Sequence, residues 1–191
     1  EDCAELEAED RTMLGDVQER WLTTNLRAPA QWKIITQQQL FGSIDDGDPG
    51  GTRRFWTEGW DGYAANRRRI LTAIQEQRIR NVGVIGGDVH QHWALDVKLD
   101  NHDLRAPVLA SEYTSASVCA GTSPTGDWVV GRNPHVKFND WQHRGYVRAE
   151  ITPKIWRADM MAVETVLRPG APSRVLQSFV VEDGRAGPQP D

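Results

Sequence analysis

Cysteine is scarce: Cys3 and Cys119 are the only two in the chain. They could form one bridge with each other, but they make no disulfide scaffold, and no Cys-x-x-Cys set is present to hold a structural zinc. No apolar run approaches the length that spans a bilayer. The opening Glu1-Asp2-Cys3-Ala4-Glu5 is acidic and carries no hydrophobic stretch, so no signal peptide is read in this chain. A positive excess is also missing. The net charge of −5 has the wrong sign for a general nucleic-acid binder, and no nucleic-acid-specific surface is evident. There is no Gly-x-Ser-x-Gly elbow and no phosphate-binding glycine loop ending in Lys. The carboxylates fall mostly on helix surfaces, so a two-carboxylate glycosidase cannot be argued.

What is present suits one globular domain: 191 residues, 39% apolar and 26% charged. Eight tryptophans are many for this length and are expected mainly in the core or in pocket walls. Residues 10–26 read as a helix with Leu14, Val17, Trp21 and Leu22 as its apolar stripe and Asp16, Glu19 and Arg20 facing out. Residues 31–36 read as a buried strand, and residues 37–60 as a long irregular connection of the functional or mobile kind. Its Asp45, Asp46 and Asp48 have no EF-hand spacing and read as a solvated turn. Residues 61–79 read as a second helix capped by Asp61, with Ile70, Leu71 and Ile74 buried and Arg67-Arg68-Arg69 on a solvated face. The strand around Val82–Ile85 follows, and strand, helix, strand favours parallel pairing. Residues 92–99 and 107–113 read as further strands, residues 114–132 as a loop, and 145–151, 154–166 and 174–182 as an antiparallel meander. Gly184 to Asp191 reads as a frayed tail.

In parallel sheets, ligands gather beyond the carboxyl ends of the strands. Asp88 and His90 stand there, two residues apart, after Gly86-Gly87. A carboxylate and an imidazole at that spacing can converge on metal ions. On residue types alone, a capping Asp beside a surface His stays open as the alternative. His92 reads as a supporting or surface residue. Asn133-Pro134-His135 joins two hydrogen-bonding side chains to a rigid turn, and these either contact a phosphate or build an Asx turn beside a strand. Gln37-Gln38-Gln39 ends the first strand on the ligand side, with a polar loop start as the equal alternative. His102 and His143 read as surface residues, and Cys119 as a small buried one.

Taken in order, these segments resemble the PhoD-like alkaline phosphatases of the metallophosphoesterase superfamily. The matching pieces are Arg11-Thr12-Met13-Leu14-Gly15 with Gln18 and Trp21-Leu22; Trp32-Lys33-Ile34-Ile35 with the glutamines after it; and Trp60-Asp61-Gly62-Tyr63 with Arg67. Gly87-Asp88-Val89-His90, Ser111-Glu112-Tyr113, and Asn133-Pro134-His135 with Arg144-Gly145-Tyr146 complete the set. The resemblance implies an α/β fold: a metallophosphoesterase-like sandwich of two mixed β-sheets flanked by helices. Residues 1–184 would be the C-terminal half of that catalytic domain and residues 185–191 a tail.

The same resemblance implies metal-dependent hydrolysis of phosphate mono- or diesters at a binuclear or multinuclear site of calcium and iron, in a periplasmic or extracellular enzyme. Asp88 and His90 take the metal-ligand role. Asn133, His135 and Arg144 become catalytic or supporting candidates, and Gln38 and His92 lie behind the ligands or face the substrate. The family's other ligands, an iron-binding Cys among them, have no counterpart here, so the chain is expected to carry part of the site and to pair with an N-terminal half. The alternative is a non-catalytic binding or assembly fragment that pairs with an N-terminal partner chain.

Overall fold

The computed structural model describes residues 4–121 and 125–191. Strands β1 (Lys33–Thr36), β2 (Val82–Gly86), β3 (His92–Val97), β4 (Ala110–Thr114) and β5 (Val136–Asp140) form one sheet in the order β1-β2-β4-β3-β5. β1, β2 and β4 run parallel, and β3 is antiparallel to β4 and β5. Strands β6 (Gly145–Ile151), β7 (Ile155–Val163), β8 (Ser173–Glu182) and β9 (Arg185–Pro190) form a second sheet in chain order. It is wholly antiparallel, where a mixed sheet was expected. Short turns suffice between its strands, whereas the parallel β1–β2 pair needs a crossover. Helix α2 (Ala64–Glu76) supplies it, burying Ile70, Leu71 and Ile74 at helical spacing.

Two apolar clusters hold the layers together. Outside the mixed sheet, α2 and the 37–60 connection bury Phe41, Trp60, Ile70, Leu71, Trp93 and Leu95. Between the sheets, Ala94 and Tyr113 meet Trp156, Met160 and Phe179. Both faces of β3 and β4 are therefore covered, and every residue of both strands is buried. Trp156 is central: its ring lies edge-on to Tyr113 with centroids 4.8 Å apart. It also comes so close to β2 that a Cβ on Gly83 would lie 2.0 Å from the ring.

Three expectations are corrected. Helix α1 (Gly15–Asn25) is turned away from the predicted face, with Val17 76% and Trp21 61% exposed. Glu19 points inward instead, 2.6 Å from Arg69 of α2, and accepts a 2.7 Å bond from the Asn66 amide. Polar partners on α2 decide the helix rotation, and only Leu14 and Leu22 of the stripe reach the core. Residues 185–191 are not frayed: β9 pairs with β8, and the Gly187 N–H donates to Ser111 Oγ at 2.8 Å. Within 114–132, residues Trp128–Arg132 form a short helix, α3. No described helix is long and apolar enough to cross a membrane.

The tight Gly83–Trp156 contact predicts that Gly83→Ala lowers stability by about 1–3 kcal/mol through overpacking. Trp156→Ala is expected to cost about 3–5 kcal/mol by opening a cavity. Urea unfolding midpoints measure both.

Candidate active site

β2 ends at Gly86, and the next five residues turn the chain into β3. The turn is pinned by the Gly87 N–H, which donates to the Gln38 carbonyl at 3.0 Å. Asp88 (φ 70°) and His90 (φ 58°) both sit in the left-handed region. Backbone strain of that kind costs a non-glycine residue on the order of 1 kcal/mol or more, and it clusters at functional sites. Both side chains line a cleft of about 360 Å³ together with Leu40, Ile44, Trp56, Trp60, Val89 and Trp93. No described residue hydrogen-bonds either of them. The carboxylate and the imidazole thus face the cleft uncommitted to any described residue. Among the described residues, no group of three His, Cys, Asp or Glu side chains forms a metal-holding cluster.

The 37–60 connection builds the facing wall, and buried polar groups shape it. Glu112 on β4 accepts the N–H groups of Phe41 and Gly42, each at 2.7 Å. Burial raises its carboxyl to about 7, against the pull of those donors, of Thr114 and of Arg67. His135 shares a 2.9 Å hydrogen bond between Nε2 and the Ser43 carbonyl. Its burial lowers the imidazole to about 4. The Asn133 amide brackets Asp45: its oxygen accepts the Asp45 N–H and its nitrogen donates to the Asp45 carbonyl, both at 2.9 Å. Asp45 itself is buried, not solvated, and lies 2.7 Å from Arg132. Burial would raise the Asp45 carboxyl, but Arg132 and the Arg54 and Gly47 amides outweigh it and hold it below its usual range.

The remaining candidates are placed as follows. Asn133 and His135 point into this loop support, not into the cleft. The Arg144 Nε donates to the Ala120 carbonyl at 2.8 Å. The Gln38 side chain is exposed, and its carbonyl holds the Asp88 turn. His92 is fully buried between the sheets. Its Nδ1 accepts the Ala116 N–H, so its Nε2–H donates to the Met161 carbonyl at 3.1 Å. Burial lowers its pKa. His143 pairs with Asp140 at 2.9 Å, and His102 is exposed. Cys119 is exposed, not buried, and the question of a bridge to Cys3 lies outside the described residues.

The arginine run is not simply a solvated face. Arg67 pairs with Asp61 at 2.7 Å, Arg68 with Glu9 at 2.5 Å and Arg69 with Glu19 at 2.6 Å. Asp61 has no capping bond: besides Arg67 it accepts the Ile44 N–H at 3.3 Å. Sequence reasoning left Glu112 and Asp45 without a role. A lone carboxylate inside a strand as apolar as 107–113 was the available signal, because a buried charge demands donors.

The family model of the PhoD-like phosphatases matches residues 1–160. The chain belongs to the PhoD-like phosphatase family. It is similar to alkaline phosphatase D of Bacillus subtilis (strain 168), with 34% identity over 185 residues, covering 93% of this chain and 31% of that protein. Its fold matches the solved structure of PhoD with a TM-score of 0.90 and 31% identity, covering 98% of this chain and 37% of that one. This chain therefore spans about a third of the length of these PhoD-like relatives.

The buried groups set a pH dependence. His135 and His92 titrate below the ordinary 6.5 in the folded state, so their contribution is complete above about 6.5 and is lost as pH falls. Each lost proton preference costs up to about 1.4 kcal/mol per pH unit. Glu112 acts oppositely: its folded value is raised from 4.5 to about 7, so stability is gained as pH falls through that window. Chemical denaturation at about pH 7 and about pH 5 should therefore show a steeper acid loss in Glu112→Gln than in the wild type, because the opposing carboxylate is gone.

Proposed function

We propose that Asp88 and His90 supply two ligands of the metal centre of a phosphate mono- or diesterase whose remaining ligands lie outside this chain. The observation that carries this reading is their shared geometry. Both hold a left-handed backbone on one turn beyond a parallel strand, and both face the same cleft with no side-chain partner among the described residues. Asp88 offers oxygen, which suits calcium and iron alike, and His90 offers nitrogen, which suits iron better than calcium. Two donors make an incomplete set, in agreement with a chain about a third as long as its relatives. Asp46 and Asp61 also line the cleft but are paired with Arg54 and Arg67, which leaves Asp88 as its unpaired acid among the described residues.

When bound, the metals supply Lewis-acid activation of the water and of the phosphoryl group. This chain's residues do the positioning. The Gln38 carbonyl fixes the ligand turn through Gly87. Asn133 and His135 hold the opposite wall through Asp45 and Ser43, Arg144 anchors the segment at Ala120, and His92 ties β3 to the second sheet. Leu40, Trp56 and Trp60 form an apolar side that limits water around an ester group. The family implies a periplasmic or extracellular setting for the whole enzyme.

A second reading, an assembly piece that pairs with an N-terminal partner chain, is favoured by one open seam. β1 is one of the two edge strands of the mixed sheet, and Val17 and Trp21 stand exposed on α1. An apolar groove lined by Leu14, Trp21, Trp32 and Ile34 runs between them. Such an edge is a template for an added strand.

Hydrolysis of a chromogenic phosphodiester with calcium and iron tests the main reading, on this chain alone and mixed with the N-terminal part. Activity is expected only in the mixture, with a loss of about 100-fold or more for Asp88→Ala or His90→Ala. Activity of the chain alone would overturn the assignment of the site, and a folded but silent mixture favours the assembly piece. Asp88→Gly and His90→Gly should remove activity yet raise the thermal midpoint, because glycine relieves about 1 kcal/mol of left-handed strain at each position.

A further inference from the structure

We propose that Glu112 is the positioning residue of this cleft: by gripping two consecutive main-chain amides it sets the wall that residues 40–44 present opposite Asp88 and His90. The inference rests on the reading of that cleft as the phosphoester site.

Glu112 is fully buried in β4, inside the mixed sheet. A buried charge persists only where donors replace water. Here each carboxylate oxygen takes one amide, Oε1 from Phe41 and Oε2 from Gly42, both at 2.7 Å. The Thr114 hydroxyl adds a third donor at 3.1 Å. The approach is reserved for this contact: a Cβ on Gly42 would lie 2.5 Å from Leu95 Cδ1 and 3.2 Å from Glu112 Oε2. Gly42 and its neighbour Leu40 both line the cleft. Between them, the Phe41 ring packs edge-on against Trp60, another cleft residue, with centroids 4.8 Å apart. Trp60 in turn donates its indole N–H to Gln37 at 3.1 Å, one residue before the carbonyl that pins the Asp88 turn.

An ionised carboxylate, with two acceptor oxygens, suits this arrangement best. Both facing groups are N–H donors, and a Gln would have to turn its own NH2 toward one of them. The other charged and titratable groups around the segment are Arg67 of α2, which donates to the Phe41 carbonyl at 3.3 Å and pairs with Asp61, and His135, which bonds Ser43. The two amides favour the carboxylate form, so by linkage a proton on Glu112 weakens the grip.

Amide NMR of the full chain tests this. In the wild type, the Phe41 and Gly42 amide protons are expected to shift together with a shared midpoint raised from the ordinary 4.5 toward about 7. In Glu112→Gln that titration disappears, and hydrogen exchange at both amides rises about tenfold or more, with Val84 on β2 unchanged. Two outcomes overturn the proposal: wild-type amides that share no midpoint, or exchange at Phe41 and Gly42 that stays near the wild-type rate in the variant. Should Glu112→Gln not fold, the wild-type titration decides by itself. In an active mixture with the N-terminal part, Glu112→Gln should lower kcat/KM about tenfold, and an unchanged value also overturns the proposal. An inactive wild-type mixture counts against the phosphoester reading, while the amide readouts still decide the grip.

Discussion

The 37–60 connection is an irregular segment of more than twenty residues, with only a few hydrogen bonds of its own, such as Asp46 N–H to the Arg54 carbonyl, to shape it. The contact on which the cleft depends is the carboxylate of Glu112 on the amides of Phe41 and Gly42. It ties loop to sheet at the deepest point of the wall. Around it the same solution recurs: His135 takes the Ser43 carbonyl, and Asn133 takes both main-chain groups of Asp45. Each tie joins a sheet or a loop beside it to main chain that has no ladder partner, so a flexible stretch becomes a fixed wall.

Against this background, the pairing of charges has a clear division. Asp45, Asp61 and Glu19 each meet an arginine at 2.6–2.7 Å. These pairs are mostly shielded from water and serve to orient helices and loops. Asp88 and His90 are treated differently. They stand on a strained turn, facing the cleft, without such a partner among the described residues. Folding pairs these buried acids and leaves Asp88 and His90 facing the cleft, the pattern expected where an ion or a charged substrate is to be met.

The open edge of β1 and the exposed Val17 and Trp21 give the molecule a second unfinished surface, away from the inter-sheet core. An incomplete ligand set and an uncovered edge both fit a chain about a third as long as its relatives. The antiparallel sheet gains β9 as its last strand, and Trp156 locks the sheet to β2 and β4.

Much of the architecture was legible in local pattern. The crossover unit around α2, the meander β6–β8 and the Gly-Asp-x-His turn all depend on short-range periodicity or turn chemistry, which a sequence states directly. The rotation of α1 was not legible, because apolar spacing placed Trp21 inside while Asn66 and Arg69, some fifty residues away, drew Glu19 in instead. The pairing of β9 and the burial of Asp45 were equally out of reach, since each rests on partners distant in the chain. By itself, the sequence determined the family, the crossover unit and meander of the fold, and the turn that carries Asp88 and His90. The tertiary structure alone decided which of the cleft and loop carboxylates are paired, because that choice depends on donors that only long-range packing brings within hydrogen-bond distance.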